Sequence, residues 1–277
     1  MLDYLLTDDI ILRALKEDMP MGDITTESTV AEDETSFARL IAKEDMVIAG
    51  LEVFCRVFIL LDPNTYIERY ADDGDKVNAG TIIMKLSGNS RAMLKAERTA
   101  LNLLQRMSGI ATATRKFADI LEGTKTKIVD TRKTVPGLRY LDKMAVRMGG
   151  GTNHRFSLSD GVLIKDNHIR ASGGITAAVK KARARIPHTV KIEVETESLE
   201  QVKEALSAGA DIIMLDNMTP EAMEEAVLFI NGRALTEASG NIAADNLAIV
   251  AKTGVDLISS GSLTHSVKAA DISLRFE

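Results

Sequence analysis

The chain has 277 residues, 45% hydrophobic and 27% charged, a globular composition that supports a packed core and excludes wholesale disorder. Its 34 Lys and Arg against 40 Asp and Glu leave a net charge of -6, which argues against a generic nucleic-acid binder. The single cysteine, Cys55, excludes an intramolecular disulfide framework and a cysteine zinc cluster.

The opening, MLDYLLTDDIILRALKEDM, lacks a basic leader region and a long apolar run, so it does not read as a signal peptide. No stretch approaches the roughly 18 apolar residues of a membrane span. A soluble, cytoplasmic protein is expected, with no membrane or nucleic-acid partner. The apolar residues Leu2, Leu5, Leu6, Ile10, Ile11 and Leu15 form a helical stripe. Gly22-Asp23 breaks it, and Asp23 to Thr26 reads as a loop. Residues 35–49 read as strands with a turn at Glu44-Asp45. Leu51 to Leu61 reads as a helix ended by Asp62-Pro63. The clusters at 72–75 and 78–80 are turns bordering short strands. A longer helical pattern runs from Ser90, a plausible N-cap, to about Gly109.

After about residue 110 short apolar runs alternate with helical patterns. The runs are KIVD (127–130), GVLIKD (161–166), VKIEVE (190–195), ADIIMLD (210–216), RALTEA (233–238) and VDLISS (255–260). Such βα repeats form parallel strands buried on both faces. An eight-stranded barrel needs about 250 residues, more than remains. The expected architecture is therefore an N-terminal α+β sandwich-like domain over 1–110, joined by the tail at about 267–277. An incomplete α/β barrel with fewer than eight parallel strands follows over 111–266. An open doubly wound sheet is the second choice.

Every apolar run ends in polar residues, and in parallel α/β folds ligands bind beyond the carboxyl ends of strands. Residues 130–170 hold eight cations against four acids, a local excess of four positive charges in a chain of net -6. A solvated basic face would account for such a cluster. On a rim of strand ends it instead suits a multiply anionic small molecule.

Arg132, Lys133, Arg155 and Lys165 stand on neighbouring strand ends and suit a dianion or sugar phosphate. His154, beside Arg155, is a further anion contact. The glycine run 149–151 lacks the spacing of a phosphate-binding loop and reads as a helix stop that lets backbone approach a ligand. Glu195 and Asp216, at consecutive strand ends, are a carboxylate pair for Mg²⁺, for ribose hydroxyls, or for neutralising Lys165. Glu193 shares the face of Glu195 as a second ligand or a partner for a rim cation. Ser239-Gly240-Asn241 and Ser260-Gly261-Ser262 precede helical segments and suit a phosphate. There is no HExxH and no GxSxG, so zinc-protease and acyl-enzyme chemistry are unsupported. Residues 72–88 are similar to the strand-turn pattern of lipoyl or biotinyl carriers, but no lysine stands in position for attachment.

Several segments carry a resemblance: GDITT (22–26), ERTALNLLQRMSGIAT (97–112), DTRKTVPGLRYLDKMAVRMGGGTNHR (130–155), LIKDNHI (163–169), EVE (193–195), LDN (215–217), EASGN (237–241) and GSLTHS (261–266). In this order they resemble the quinolinate phosphoribosyltransferase family over nearly the whole chain. Val135 departs from the more frequent Thr. The resemblance implies transfer of phosphoribose from phosphoribosyl pyrophosphate to quinolinate with decarboxylation, giving nicotinate mononucleotide, and Mg²⁺ as cofactor. It also implies a homodimer or hexamer whose site is completed across the interface by Arg98 of a neighbouring subunit. Arg132, His154 and Arg155 are implied to hold the carboxylates, and Lys133 and Lys165 to contact either substrate. Glu195 and Asp216 are implied at ribose and Mg²⁺, with the two Ser-Gly loops at the 5′-phosphate. The alternatives are a phosphoribosyltransferase for another aromatic acid and a phosphometabolite-binding protein without turnover.

Overall fold

The computed structural model describes residues 2–277. In chain order the elements are α1 (Tyr4–Asp18), α2 (Ile24–Thr29), β1 (Thr35–Ala42), β2 (Met46–Val47), α3 (Leu51–Leu61), β3 (Tyr66–Arg69), β4 (Lys76–Val77), β5 (Ile82–Asn89), α4 (Ser90–Ile120), β6 (Lys127–Val129) and α5 (Arg139–Met148). They continue as β7 (Val162–Ile164), α6 (Asp166–Ser172), α7 (Ile175–Arg183), β8 (Ile192–Thr196), α8 (Leu199–Ser207), β9 (Ile212–Asp216), α9 (Pro220–Ile230), β10 (Leu235–Ser239), α10 (Leu247–Lys252), β11 (Leu257–Ser259), α11 (Ser262–His265) and β12 (Ile272–Phe276). The chain divides into two compact units. One comprises the residues through Arg115, then 134–150 and 266–277, and the other 116–133 and 151–265.

The first unit is built on a four-stranded antiparallel sheet in the order β12-β1-β5-β3. The C-terminal strand pairs along β1 from Ala38 opposite Phe276 to Ala42 opposite Ile272. Gly109 lets the tail reach this position: a Cβ there would sit 2.2 Å from the Lys268 carbonyl oxygen. Gln105 Nε2 donates to the Ile272 carbonyl at 2.8 Å, which anchors the strand to α4.

Three local features differ from the sequence reading. Asp23 is not in a loop but caps α2, accepting the Thr26 amide at 3.0 Å. The cap of α4 is Asn89, whose Oδ1 accepts the Ala92 amide at 3.1 Å. Ser90 lies within the helix and bonds Ser36 instead. The helix also runs eleven residues past Gly109, to Ile120.

Segment 134–150, which the sequence reading grouped with the barrel, belongs to the first unit. Its helix α5 carries the fully buried Asp142, which accepts both arms of Arg106 at 2.8 and 2.7 Å. A buried carboxylate demands such a partner, and the partner lies on α4. The glycine run ends α5 as expected, but the close approach it permits is to protein and not to a ligand. A Cβ on Gly149 would lie 2.5 Å from the Ala111 carbonyl oxygen.

The second unit is a six-stranded parallel sheet in the order β6-β11-β10-β9-β8-β7. Its strands are rich in buried aliphatic residues such as Val194, Ile213, Leu215 and Ile258, as expected for strands covered on both faces. The first two strands of this unit, β6 and β7, lie at opposite ends of the order, and no ladder joins them among the described residues. The segment after the glycine run continues beyond β6 instead: Thr152 donates to the Ile128 carbonyl at 2.9 Å and accepts from Asp130 at 3.2 Å. Residues in or just beyond the carboxyl ends of all six strands line one cavity, so the sheet is curled into an incomplete barrel.

Candidate active site

The cavity lies at the carboxyl ends of the six strands and has a volume of about 960 Å³. Each strand delivers its polar residues by the same rule: apolar residues pack the barrel, and the chain turns outward where the ladder ends. Thr131, Arg132 and Lys133 follow β6, Lys165 follows β7, and Glu195 and Asp216 close β8 and β9. Ser239 closes β10 and the loop Gly240-Asn241 follows it, and Ser260, Gly261 and Ser262 follow β11. His154 and Arg155 enter from the segment beside β6. Every residue that the sequence reading places in the site lines this cavity except Arg98 and Glu193. Arg98 lines a different cleft, within the first unit, together with Lys95, Asp23 and the turn between α1 and α2.

Lys165 Nζ pairs with Glu195 Oε2 at 2.7 Å. The amide of Lys165 donates to His168 Nδ1 at 3.0 Å, which gives His168 a capping role at the start of α6. Asp216 Oδ2 accepts from Asn217 Nδ2 at 2.8 Å. Asn217 has a left-handed backbone, φ 54°, and its side chain fills the space over Gly240. A Cβ on Gly240 would lie 2.2 Å from Asn217 Oδ1, and Gly240 itself has φ 97°. Glycine is thus required there by a neighbouring side chain as well as by the backbone. At Gly261 side chains alone crowd the position: an added Cβ would meet Lys133 Cδ at 2.8 Å and His265 Cδ2 at 2.9 Å. The Gly240 loop does not run straight into a helix, because α10 begins only at Leu247. The Gly261 loop does, at Ser262. Ser260 and Ser262 share a hydroxyl hydrogen bond of 2.8 Å.

Beneath the arginines lies a buried acidic floor. Asp130, fully buried, accepts the His154 amide at 2.9 Å and Asn153 Nδ2 at 2.6 Å. His154 Nδ1 accepts the Arg155 amide at 2.7 Å. His154 Nε2 lies 3.0 Å from Glu193 Oε2 and 3.6 Å from Glu237 Oε2. Both ring nitrogens therefore face protein groups, so the structure does not present His154 as a free donor to a substrate carboxylate. Glu193 is turned to this histidine and not to the rim. Burial, together with the neighbouring Glu193, pushes Glu237 up to about 7. Arg155 donates to the Gly161 carbonyl at 2.9 Å, and burial and the adjacent Arg132 hold its pKa below the usual guanidinium range.

Glu237, His265 and Asn217 line the cavity but were not picked out as site residues from the sequence. For Glu237 a signal exists: it stands two residues before Ser239 on the same strand face. Asn217 directly follows the strand-end Asp216, and His265 lies in the quoted GSLTHS segment, but neither position by itself shows that the side chain reaches the cavity.

Two family models match the chain. That described as quinolinate phosphoribosyl transferase, N-terminal domain, covers residues 23–108, and the corresponding C-terminal domain covers 110–275. A probable nicotinate-nucleotide pyrophosphorylase [carboxylating] of Bacillus subtilis is 48% identical over 93% of this chain and 89% of its own length. A chloroplastic nicotinate-nucleotide pyrophosphorylase [carboxylating] of Arabidopsis thaliana is 44% identical over 97% of this chain and 82% of its own. The crystal structure of NadC from Streptococcus pyogenes superposes with a TM-score of 0.96 at 43% identity, covering all of this chain and 99% of the other.

Proposed function

The chain belongs to the quinolinate phosphoribosyltransferase family, and on that premise we propose that its barrel cavity transfers phosphoribose from phosphoribosyl pyrophosphate to quinolinate, with decarboxylation, to give nicotinate mononucleotide for de novo NAD synthesis. The observation that carries this reading is the single cavity in which Arg132, Lys133, Arg155 and Lys165 meet Glu195 and Asp216. A dicarboxylate and a polyphosphorylated sugar need that mixture: cationic forks for the acid, point charges for phosphates, carboxylates for hydroxyls and a cation.

Arg132 and Arg155 hold the two quinolinate carboxylates. His154 stands behind them, its ring accepting the Arg155 amide, and so fixes the backbone at Arg155. Lys133 and Lys165 lie against the pyrophosphate. Glu195 and Asp216 contact the ribose hydroxyls and would hold Mg²⁺, an all-oxygen pair suited to a hard cation. When bound, the ion supplies charge neutralisation for the departing pyrophosphate. The serines and backbone amides of the loops at 239–241 and 260–262 take the 5′-phosphate.

The pyridine nitrogen attacks the ribosyl carbon as pyrophosphate leaves. Positioning and fixed charge provide the rate, and no protein nucleophile is needed. The ring becomes cationic, and loss of CO₂ from the adjacent carbon leaves an electron pair that the ring nitrogen stabilises. The enzyme works as a homodimer or larger assembly in the cytoplasm, with Arg98 of one copy reaching the cavity of another.

The test is incubation with quinolinate, phosphoribosyl pyrophosphate and Mg²⁺, following CO₂ and nicotinate mononucleotide. Equal amounts of both are expected. Turnover of another aromatic acid with none of quinolinate would refute the substrate assignment.

A further inference from the structure

Loss of CO₂ from the ribosylated ring leaves a ring carbon carrying an electron pair, and that carbon must gain a proton. The rim offers the cations Arg132, Lys133, Arg155 and Lys165, with His265 beside Lys133 at Gly261. The floor offers something different. Glu237 lines the cavity yet is 1% exposed, and its Oε1 has no hydrogen-bond partner. Glu193, 4% exposed, likewise leaves Oε1 without one.

The hydrogen bonds around His154 decide where a proton resides. Because Nδ1 accepts the Arg155 amide, the imidazole carries its proton on Nε2, aimed at Glu193 at 3.0 Å. Glu193 Oε2 thereby takes the closer contact to that nitrogen. Glu237 is farther from the same nitrogen, at 3.6 Å, and has no comparable donor. Facing it are His154 and Glu193, with Ser259 of β11 as a hydroxyl partner and Asp130 as a further buried negative charge. Like charges packed in a poorly solvated floor cannot all ionise cheaply, and Glu237 is the member with least compensation. The resulting upward shift, to about 7, agrees with that geometry.

We propose that Glu237 is the acid that protonates the ring carbon vacated by CO₂. This deepens the phosphoribosyl-transfer reading and rests on it. The bond between the ring carbon and the departing carboxylate breaks, and its electron pair stays on the ring carbon beside the ribosylated nitrogen. The Glu237 O–H bond then breaks, its proton forms the new C–H bond, and Glu237 remains as a carboxylate. Solvent entering the emptied cavity returns the proton before the next turnover. Glu193, through His154, is a positioning residue: it draws the His154 N–H away from Glu237.

Single-turnover quench experiments on the full chain test this, with pyrophosphate and nicotinate mononucleotide measured separately. In the wild-type protein mononucleotide formation falls about tenfold per pH unit above about 7, while pyrophosphate formation does not share that limb. Glu237→Gln releases one equivalent of pyrophosphate per site near the wild-type rate. It forms mononucleotide on the order of 100-fold more slowly, with the alkaline limb gone. Glu237→Asp recovers part of the rate and restores the limb. Equal slowing of both products in Glu237→Gln, or an unchanged pH profile, overturns the assignment. Should that variant fail to fold, the wild-type profile decides: mononucleotide formation flat between about pH 6 and 9 overturns it equally. A wild-type protein that makes neither product from quinolinate removes the phosphoribosyl-transfer reading and this proposal with it. Wild-type turnover matched by Glu237→Gln removes the acid alone.

Discussion

Lys165 and Glu195 close an ion pair of 2.7 Å between the ends of β7 and β8, the lysine half exposed and the glutamate 13% exposed. The pair holds a cation at the cavity wall before any anion arrives. Its contribution to folding is small, because a half-exposed pair is worth about 0–1 kcal/mol. On the proposed reading its contribution to turnover is large, because the lysine would face the charge that develops on pyrophosphate. Lys165→Ala should lower kcat by about 10²- to 10³-fold while moving the unfolding midpoint very little. Steady-state kinetics and a thermal melt on the same preparation check both halves.

Arg155 is fixed at two points, its amide on His154 Nδ1 and one guanidinium nitrogen on the Gly161 carbonyl. That leaves the rest of the fork for a substrate carboxylate. Arg155→Ala should weaken quinolinate by roughly 2–5 kcal/mol, the usual cost of leaving a desolvated charge unpaired. Calorimetric titration with quinolinate measures it. An unchanged affinity would remove Arg155 from the substrate contacts.

Gly240 tests the loop after β10. A methyl there collides with Asn217 at 2.2 Å, and φ 97° is strained for any side chain. Gly240→Ala should therefore displace Asn217, break its bond to Asp216, and cost about 1–3 kcal/mol of stability. Because Asp216 is proposed to touch ribose and cation, KM for phosphoribosyl pyrophosphate should rise as well. Denaturant melts and substrate titrations measure the two effects.

Arg98 lies outside the barrel cavity, in a cleft of the first unit beside Lys95. If a second copy supplies it, Arg98→Ala and Lys165→Ala proteins should each be nearly inactive alone. Mixed, they should recover up to about a quarter of wild-type activity per site, the share carrying both intact residues under random pairing. Absence of any recovery, with subunit exchange demonstrated by mass spectrometry, would rule out the shared site.

The strand ends were legible because each βα unit repeats one pattern: an apolar run, then polar residues where the ladder stops. Lys133, Lys165, Glu195 and Asp216 follow from that pattern alone, since chain direction puts them on one rim. The placement of α5 was not legible. Its helical period is visible, but what Asp142 pairs with is set by Arg106 on another helix, 36 residues earlier. Glu237 was hidden differently. In sequence it is one acid before a Ser-Gly loop, and its chemistry arises only when β8 and the segment at 154 bring Glu193 and His154 against it.

That clustering makes a stability prediction with a definite sign. The folded pKa of Glu237, about 7, lies above the ordinary carboxylate value of 4.5. A raised carboxyl favours the protonated fold, so its contribution is fully present below about 4.5 and is lost as pH rises through about 7. Above that, the native barrel must carry an extra buried charge near Glu193 and Asp130. Glu237→Gln keeps the shape and removes the charge. Its unfolding midpoint should match the wild type near pH 4.5 and exceed it increasingly toward pH 8, since only the wild type then ionises at the floor. Thermal melts of both proteins across that range give the difference directly. A difference independent of pH would mean that Glu237 does not change charge there, and would leave packing as its only contribution to the barrel.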